Sequence, residues 1–135
     1  MAHTSKTVIV TGGSQGIGSG AVQAFLDRDY NVVATSRNVT KSKDLPSSQK
    51  LALVDGDIAE ATTAARVAET AISTFGSIDA LVNNAGIFFT KPFTDYTAED
   101  FKRLVSTNLD GFIYMTQLAI KQMLGQKSGD RKSVV

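Results

Sequence analysis

The chain contains no cysteine and no tryptophan, and only one histidine in 135 residues. Without cysteine, a disulfide scaffold and a thiolate metal site are both excluded. His3 stands alone in a polar start, so no histidine cluster exists to ligate a metal, and no metal site is expected. Excess charge of either sign is missing too. Fourteen Lys and Arg stand against thirteen Asp and Glu, a net charge of +1, which argues against a nucleic-acid footprint or an acidic partner. Met1 to Lys6 has no apolar core of the signal-peptide kind, and no later stretch approaches 18 apolar residues in a row. No membrane partner is expected, and a cytoplasmic location is the compositional default. What the chain does have is 42% hydrophobic and 20% charged residues, a balance that supports one packed domain over residues 1–135.

Short β-branched runs alternate with amphipathic stretches along the whole chain. Thr7 to Thr11, Asn31 to Thr35, Leu51 to Val54 and Ile78 to Val82 read as buried strands, and Ser133 to Val135 as the start of a fifth. Helices are expected over Gly16 to Arg28, Ala59 to Phe75 (ended by Gly76), Ala98 to Val105 behind a Thr97 N-cap, and Leu109 to Leu124. Asn38 to Lys50 and Lys127 to Lys132 read as polar connections. Alternating buried strands and helices predict an α/β fold: a Rossmann-type doubly wound parallel sheet with helices on both faces, truncated at about the fifth strand.

Four segments carry the chemistry. Thr11-Gly12-Gly13-Ser14-Gln15-Gly16-Ile17-Gly18 lies between the first strand and the first helix. Glycines there let the backbone turn sharply and approach a pyrophosphate, and the helix N-terminus supplies free N–H groups. The spacing is GxxxGxG, and Gly16, Gly18 and Ala21 also satisfy the looser GxGxxG/A form. The plain alternative is a glycine turn with tight strand–helix packing. At the end of the second strand, Ser36-Arg37 stands where a NAD site needs an Asp or Glu. A guanidinium there grips a 2′-phosphate, so NADP is favoured over NAD. Asp57-Ile58 follows the third strand, where Asp57 fits both an adenine contact and a helix N-cap. Asn83-Asn84-Ala85-Gly86 ends the fourth strand at the carboxyl edge of the sheet, as a ribose contact or an Asn-rich turn. Asn108, at the meeting of two helical stretches, reads on physics alone as a cap or kink. Phe88, Phe89 and Phe93 fit either the mouth of an apolar pocket or a loop packed on its own sheet.

Together the glycine segment, Asp57-Ile58, Asn83-Asn84-Ala85-Gly86 and Asn108-Leu109-Asp110-Gly111-Phe112 resemble the short-chain dehydrogenase/reductase family, in its order and approximate spacing. The resemblance implies an oxidoreductase moving a hydride between nicotinamide and a small carbonyl or alcohol substrate. It implies cofactor contacts from Gly12, Ser14, Gln15, Gly16, Ile17, Gly18, Ser36, Arg37, Asp57, Ile58, Asn84, Ala85 and Gly86. Asn108 corresponds to the family's catalytic asparagine, which holds a water in a proton relay, and Arg37 to the arginine of NADP-preferring members.

Family members continue to a catalytic Ser and a Tyr-x-x-x-Lys pair, whereas this chain ends at Val135. Its tyrosines, Tyr30, Tyr96 and Tyr114, have no Lys four residues on. The expectation is therefore a cofactor-binding half without an acid/base, and a homo-oligomer in the longer form. Taken alone, the chain is expected to leave Phe112, Met115, Leu118, Ala119 and Met123 partly in water and to be marginal, self-associating or dependent on a complementary fragment, unless the helix folds over the sheet edge. Two other readings compete. One is a non-catalytic dinucleotide-binding module. The other is an S-adenosylmethionine methyltransferase, suggested by the Gly16-x-Gly18-x-Gly20 spacing and opposed by the Asn-Asn-Ala-Gly turn and the missing acid after the second strand.

Overall fold

A computed structural model describes residues 5–126 and 133–134. Five parallel strands lie in the order β3-β2-β1-β4-β5: β1 (Thr7–Thr11), β2 (Asn31–Ser36), β3 (Leu51–Asp55), β4 (Ala80–Val82) and β5 (Ser133–Val134). The strand order reverses direction at β1, between the β2 and β4 sides, and that reversal opens a crevice at the carboxyl ends.

Strand alternation sorts the core into two layers. Val8, Val10, Val32 and Ala34 face helix α1 (Gly16–Asp27) and its buried Val22. Ile9, Val33 and Leu81 face helices α2 (Ala61–Phe75) and α4 (Gly111–Gln126), where Ala64, Val67, Ala71, Met115 and Ala119 are fully buried. Helix α4 presents Gly111, Met115, Ala119 and Met123 to the core, one residue per turn on a single stripe.

Two expectations are corrected here. Met115, Ala119 and Met123 are not left in water. Phe112 is exposed as expected, with Ile113, Ile120 and Leu124 beside it on the flank of α4, and Leu118 is only partly buried. The crossover from β2 to β3 is the connection expected over Asn38 to Lys50, without an α-helix. A single turn at Val39–Lys41 opens it, and Val39 is fully buried against the α1 layer, with Leu45 partly buried beside it. The α1 face is thus covered partly by an irregular chain. Helix α2 begins at Ala61, so Asp57 does not cap it.

The other boundaries follow local chemistry. Gly76 closes α2 with φ 90°, its N–H reaching Ala71 and Ile72 carbonyls. Thr97 and Asp100 form a reciprocal capping box on α3 (Ala98–Val105). Between α3 and α4 the chain widens into a π-turn at Ser106–Asp110, which contains Asn108. The expected loop at Lys127–Lys132 and the end of the fifth strand at Val135 lie outside the described residues.

Candidate functional site

The carboxyl ends of β1 to β4 open into one cleft of about 490 Å³. Gly12, Ser14, Gln15 and Gly16 line it from the glycine segment, Thr35 to Asn38 from the end of β2, and Gly56 to Ile58 from the end of β3. Asn84 to Ile87 and Thr107 complete the wall. Five stretches far apart in sequence therefore meet in one space.

The glycines do different work. At Gly12 φ is 65°, and a Cβ would stand 2.9 Å from the Cα of Ala85. A Cβ on Gly18 would lie 1.9 Å from the Gly12 carbonyl oxygen. Gly18 is buried beneath the loop and does not line the cleft, and Ile17 is 85% exposed beside it. Both were expected as direct contacts, and the geometry gives Gly18 a packing role. Gly16 has φ 58° with nothing within 4 Å of a Cβ, so it borders open space on the cleft side. The N-cap of α1, Gln15, makes no side-chain capping bond. Among the described residues no side chain caps this helix end beside the cleft, a fit for an anion.

Thr11 ties the glycine segment to the turn after β4. Its Oγ1 accepts N–H bonds from Asn84 and Ala85, both 3.0 Å, and donates to the Val82 carbonyl at 3.4 Å. The Asn84 amide donates to the Gly12 carbonyl at 3.0 Å. Asn84 thus supports the cradle wall as well as lining the cleft. Asn83, its neighbour, turns away and donates to the Thr116 hydroxyl at 3.0 Å. Thr11 escaped the sequence reading as a site residue, although a hydroxyl directly before a glycine turn was the available signal.

At the far end, Ser36 and Arg37 line the cleft, and the Arg37 side chain makes no hydrogen bond or ion pair with any described residue. Asp57 also lines the cleft, but its Oδ1 accepts the Ala59 N–H at 3.0 Å in a tight turn. Thr35, Asn38, Gly56, Ile87 and Thr107 are lining residues that the motifs did not single out. They flank the motif residues by one or two positions, or, for Thr107, come from the π-turn.

Asn108 lies outside the main cleft, in a small adjoining cavity of about 50 Å³ with Thr11, Asn83 and Thr107. Its Oδ1 accepts the Ile87 N–H at 2.8 Å and its Nδ2 donates to the Ile87 carbonyl at 3.0 Å. Each end of the amide makes one bond to main chain, which leaves it a second N–H and a second lone pair. Phe89 stacks on Tyr96 at 5.9 Å between ring centres, with Lys91 over both rings and Arg103 over Phe89. Phe89 therefore packs within its own loop, whereas Phe88 and Phe93 are 86% and 90% exposed.

Comparison with known proteins agrees with this geometry. A family model described as short chain dehydrogenase matches residues 6–130. The chain is 36% identical over 126 residues to the oxidoreductase YxnA of Bacillus subtilis, covering 90% of this chain and 35% of that protein. It is 32% identical to the NADP-dependent (R)-specific alcohol dehydrogenase of Lentilactobacillus kefiri, covering 92% and 51%. Among solved structures, the 3-ketoacyl-(acyl-carrier-protein) reductase of Brucella melitensis complexed with NADH superposes with a TM-score of 0.90. Identity there is 27%, over 97% of this chain and 56% of that one. The chain thus spans about a third to a half of the length of these two curated relatives. A parallel sheet with its crevice at the glycine turn and the Asn-Asn-Ala-Gly turn, matched by the family model over almost the whole sequence, shows that this chain belongs to the short-chain dehydrogenase family.

Proposed function

We propose that this chain is the cofactor-binding part of an oxidoreductase that prefers NADP and interconverts a small carbonyl and an alcohol. One observation supports this above the rest: the open cradle at Gly16 and Arg37, unpaired among the described residues, line the same cleft. A pyrophosphate suits the first and a 2′-phosphate the second. The donor set fits the group. Arg37 reads the 2′-phosphate, Gly12 to Gly16 hold the pyrophosphate, Asp57 and Ile58 border the adenine, and Asn84 to Gly86 flank a ribose.

The bound dinucleotide supplies or takes up the hydride. The chain's own residues bind and orient: Thr11 and Asn84 fix the cradle against the β4 turn, and Asn108 fixes Ile87 at the cleft wall. Asn108 is in this reading a positioning residue. None of the three tyrosines has Lys four residues later. Tyr96 donates to the Phe89 carbonyl and Tyr30 packs edge-on against Phe25. None of the three tyrosines lines the cleft, so the described residues bring no Tyr-Lys acid/base pair to it. Oligomer formation through the exposed face of α4 belongs to the same proposal.

Fluorescence titration of the purified protein with NADPH and with NADH tests the reading. Saturable binding, tighter for NADPH, is expected. Equal or tighter binding of NADH contradicts the NADP preference, and no binding of either contradicts the cofactor site itself.

A further inference from the structure

Resting on the NADP reading above, we propose that Thr40 and Asp55 form a clamp that presets the main chain around Arg37, making both residues determinants of cofactor choice without touching the cofactor.

Arg37 and Asn38 form a two-residue bridge outside regular structure. On one side, Ser36 is the last residue of β2, registered against Asp55 and tied to the Gly56 N–H through its carbonyl at 3.0 Å. On the other, Val39 is fully buried and Thr40 is held at two points by one carboxylate. The Thr40 N–H donates to Asp55 Oδ1 at 2.9 Å, and the Thr40 hydroxyl donates to Asp55 Oδ2 at 2.6 Å. The Arg66 guanidinium donates to the Asp55 main-chain carbonyl, fixing that strand end to α2. Two residues on, the Ser42 hydroxyl donates to the carbonyl of Ser14, joining the same connection to the glycine cradle.

The consequence follows from entropy. The β2–β3 crossover lacks the helix that would stiffen it, so an arginine on it would sample many positions. The clamp removes main-chain freedom on both sides of Arg37, while its guanidinium keeps no described partner. A binding group whose backbone is already placed loses less entropy when its ligand arrives. That gain reaches only a ligand that Arg37 touches, hence a 2′-phosphate and not a 2′-hydroxyl.

The test measures dissociation constants for NADPH and NADH in Thr40→Val, Asp55→Ala, Thr40→Ser and Arg37→Ala. Thr40→Val and Asp55→Ala are expected to weaken NADPH about fivefold, the scale of one net hydrogen bond, and to leave NADH within about twofold. Thr40→Ser, which keeps both donors, should restore the wild-type ratio. Parallel loss of both cofactors means the clamp is only structural and overturns the proposal, as does no change in either. Tighter NADPH binding by Asp55→Ala also overturns it, because the carboxylate would then act as a repelling charge. Should Arg37→Ala itself leave the NADPH/NADH ratio unchanged, the NADP reading fails. A ratio altered by Arg37→Ala but not by the Thr40 and Asp55 variants sinks the clamp alone.

Discussion

Asn108 holds the main chain of Ile87 from both sides, accepting its N–H at 2.8 Å and donating to its carbonyl at 3.0 Å. The pairing imitates a strand ladder between a side chain and a loop. A Cβ on Gly86 would stand 3.0 Å from Asn108 Oδ1, so the small residue before Ile87 permits the approach. The π-turn at Ser106–Asp110 carries the Asn108 amide to that position.

Replacing Asn108 with Ala should therefore act through Ile87. Both bonds lie in an exposed region where water replaces them, so a loss of about 1 kcal/mol is expected. The cofactor should bind more weakly in parallel, since Ile87 lines the cleft. Urea unfolding and NADPH titration of the same variant check this. Unchanged stability with unchanged binding would show that the Asn108–Ile87 pairing does no work in solution.

Gly16 and Gly18 separate cradle from scaffold. Gly16→Val keeps room for the side chain but strains a residue at φ 58° and projects a branched Cβ beside the cleft. It should fold, with a loss of about 1–2 kcal/mol, and bind neither cofactor. Gly18→Ala drives a Cβ into the Gly12 carbonyl and should lose the fold of the loop itself. Circular dichroism and titration distinguish the two, and normal NADPH binding by folded Gly16→Val would remove Gly16 from the cradle.

The exposed stripe on α4, with Phe112, Ile113, Ile120 and Leu124, predicts self-association. A double change, Ile120→Lys with Leu124→Lys, should shift the protein to monomer in light scattering without lowering its melting temperature. An unchanged assembly state would place the contact elsewhere. A wild-type protein that is already monomeric would contradict the association.

The capping box supplies a pH dependence. The Lys91 ammonium, 2.6 Å from Asp100, and the Thr97 N–H hold the Asp100 carboxyl below its ordinary value of 3.8. A lowered folded-state value means the charged form stabilises the fold. That contribution is complete above about pH 3.8 and disappears as the pH falls through the lowered value. Asp100→Asn should lower the melting temperature at neutral pH, with the gap to wild type closing on acidification below pH 4. A gap that stays constant across that range would show that Asp100 acts without its charge.

The sequence carried most of the sheet because its strands are short, apolar and ended by glycine or asparagine. Thr7–Thr11 and the Gly76 helix end stand where periodicity and turn chemistry put them. Helix faces were harder. The stripe Met115, Ala119, Met123 was expected at the surface, but its four-residue spacing seats it on α2 and the sheet. Which side of an evenly apolar helix turns inward depends on its neighbours, and local sequence does not contain them. The site motifs gathered in one cleft because strand ends converge at a crevice by topology. Gly18 fell outside it because a motif records which residues are required, and packing beneath a loop is one such requirement. The Thr40–Asp55 contact joins residues fifteen apart through two ordinary polar side chains, a pairing no local pattern announces.

The central claim is that Arg37 reads the 2′-phosphate in this cleft. Isothermal titration of wild type and Arg37→Ala with NADPH and NADH addresses it directly. The account predicts tighter binding of NADPH by wild type, and loss of about tenfold or more in NADPH affinity on removing the guanidinium, the scale of a charge-assisted hydrogen bond, with NADH unaffected. Equal weakening of both cofactors, or none, would contradict it.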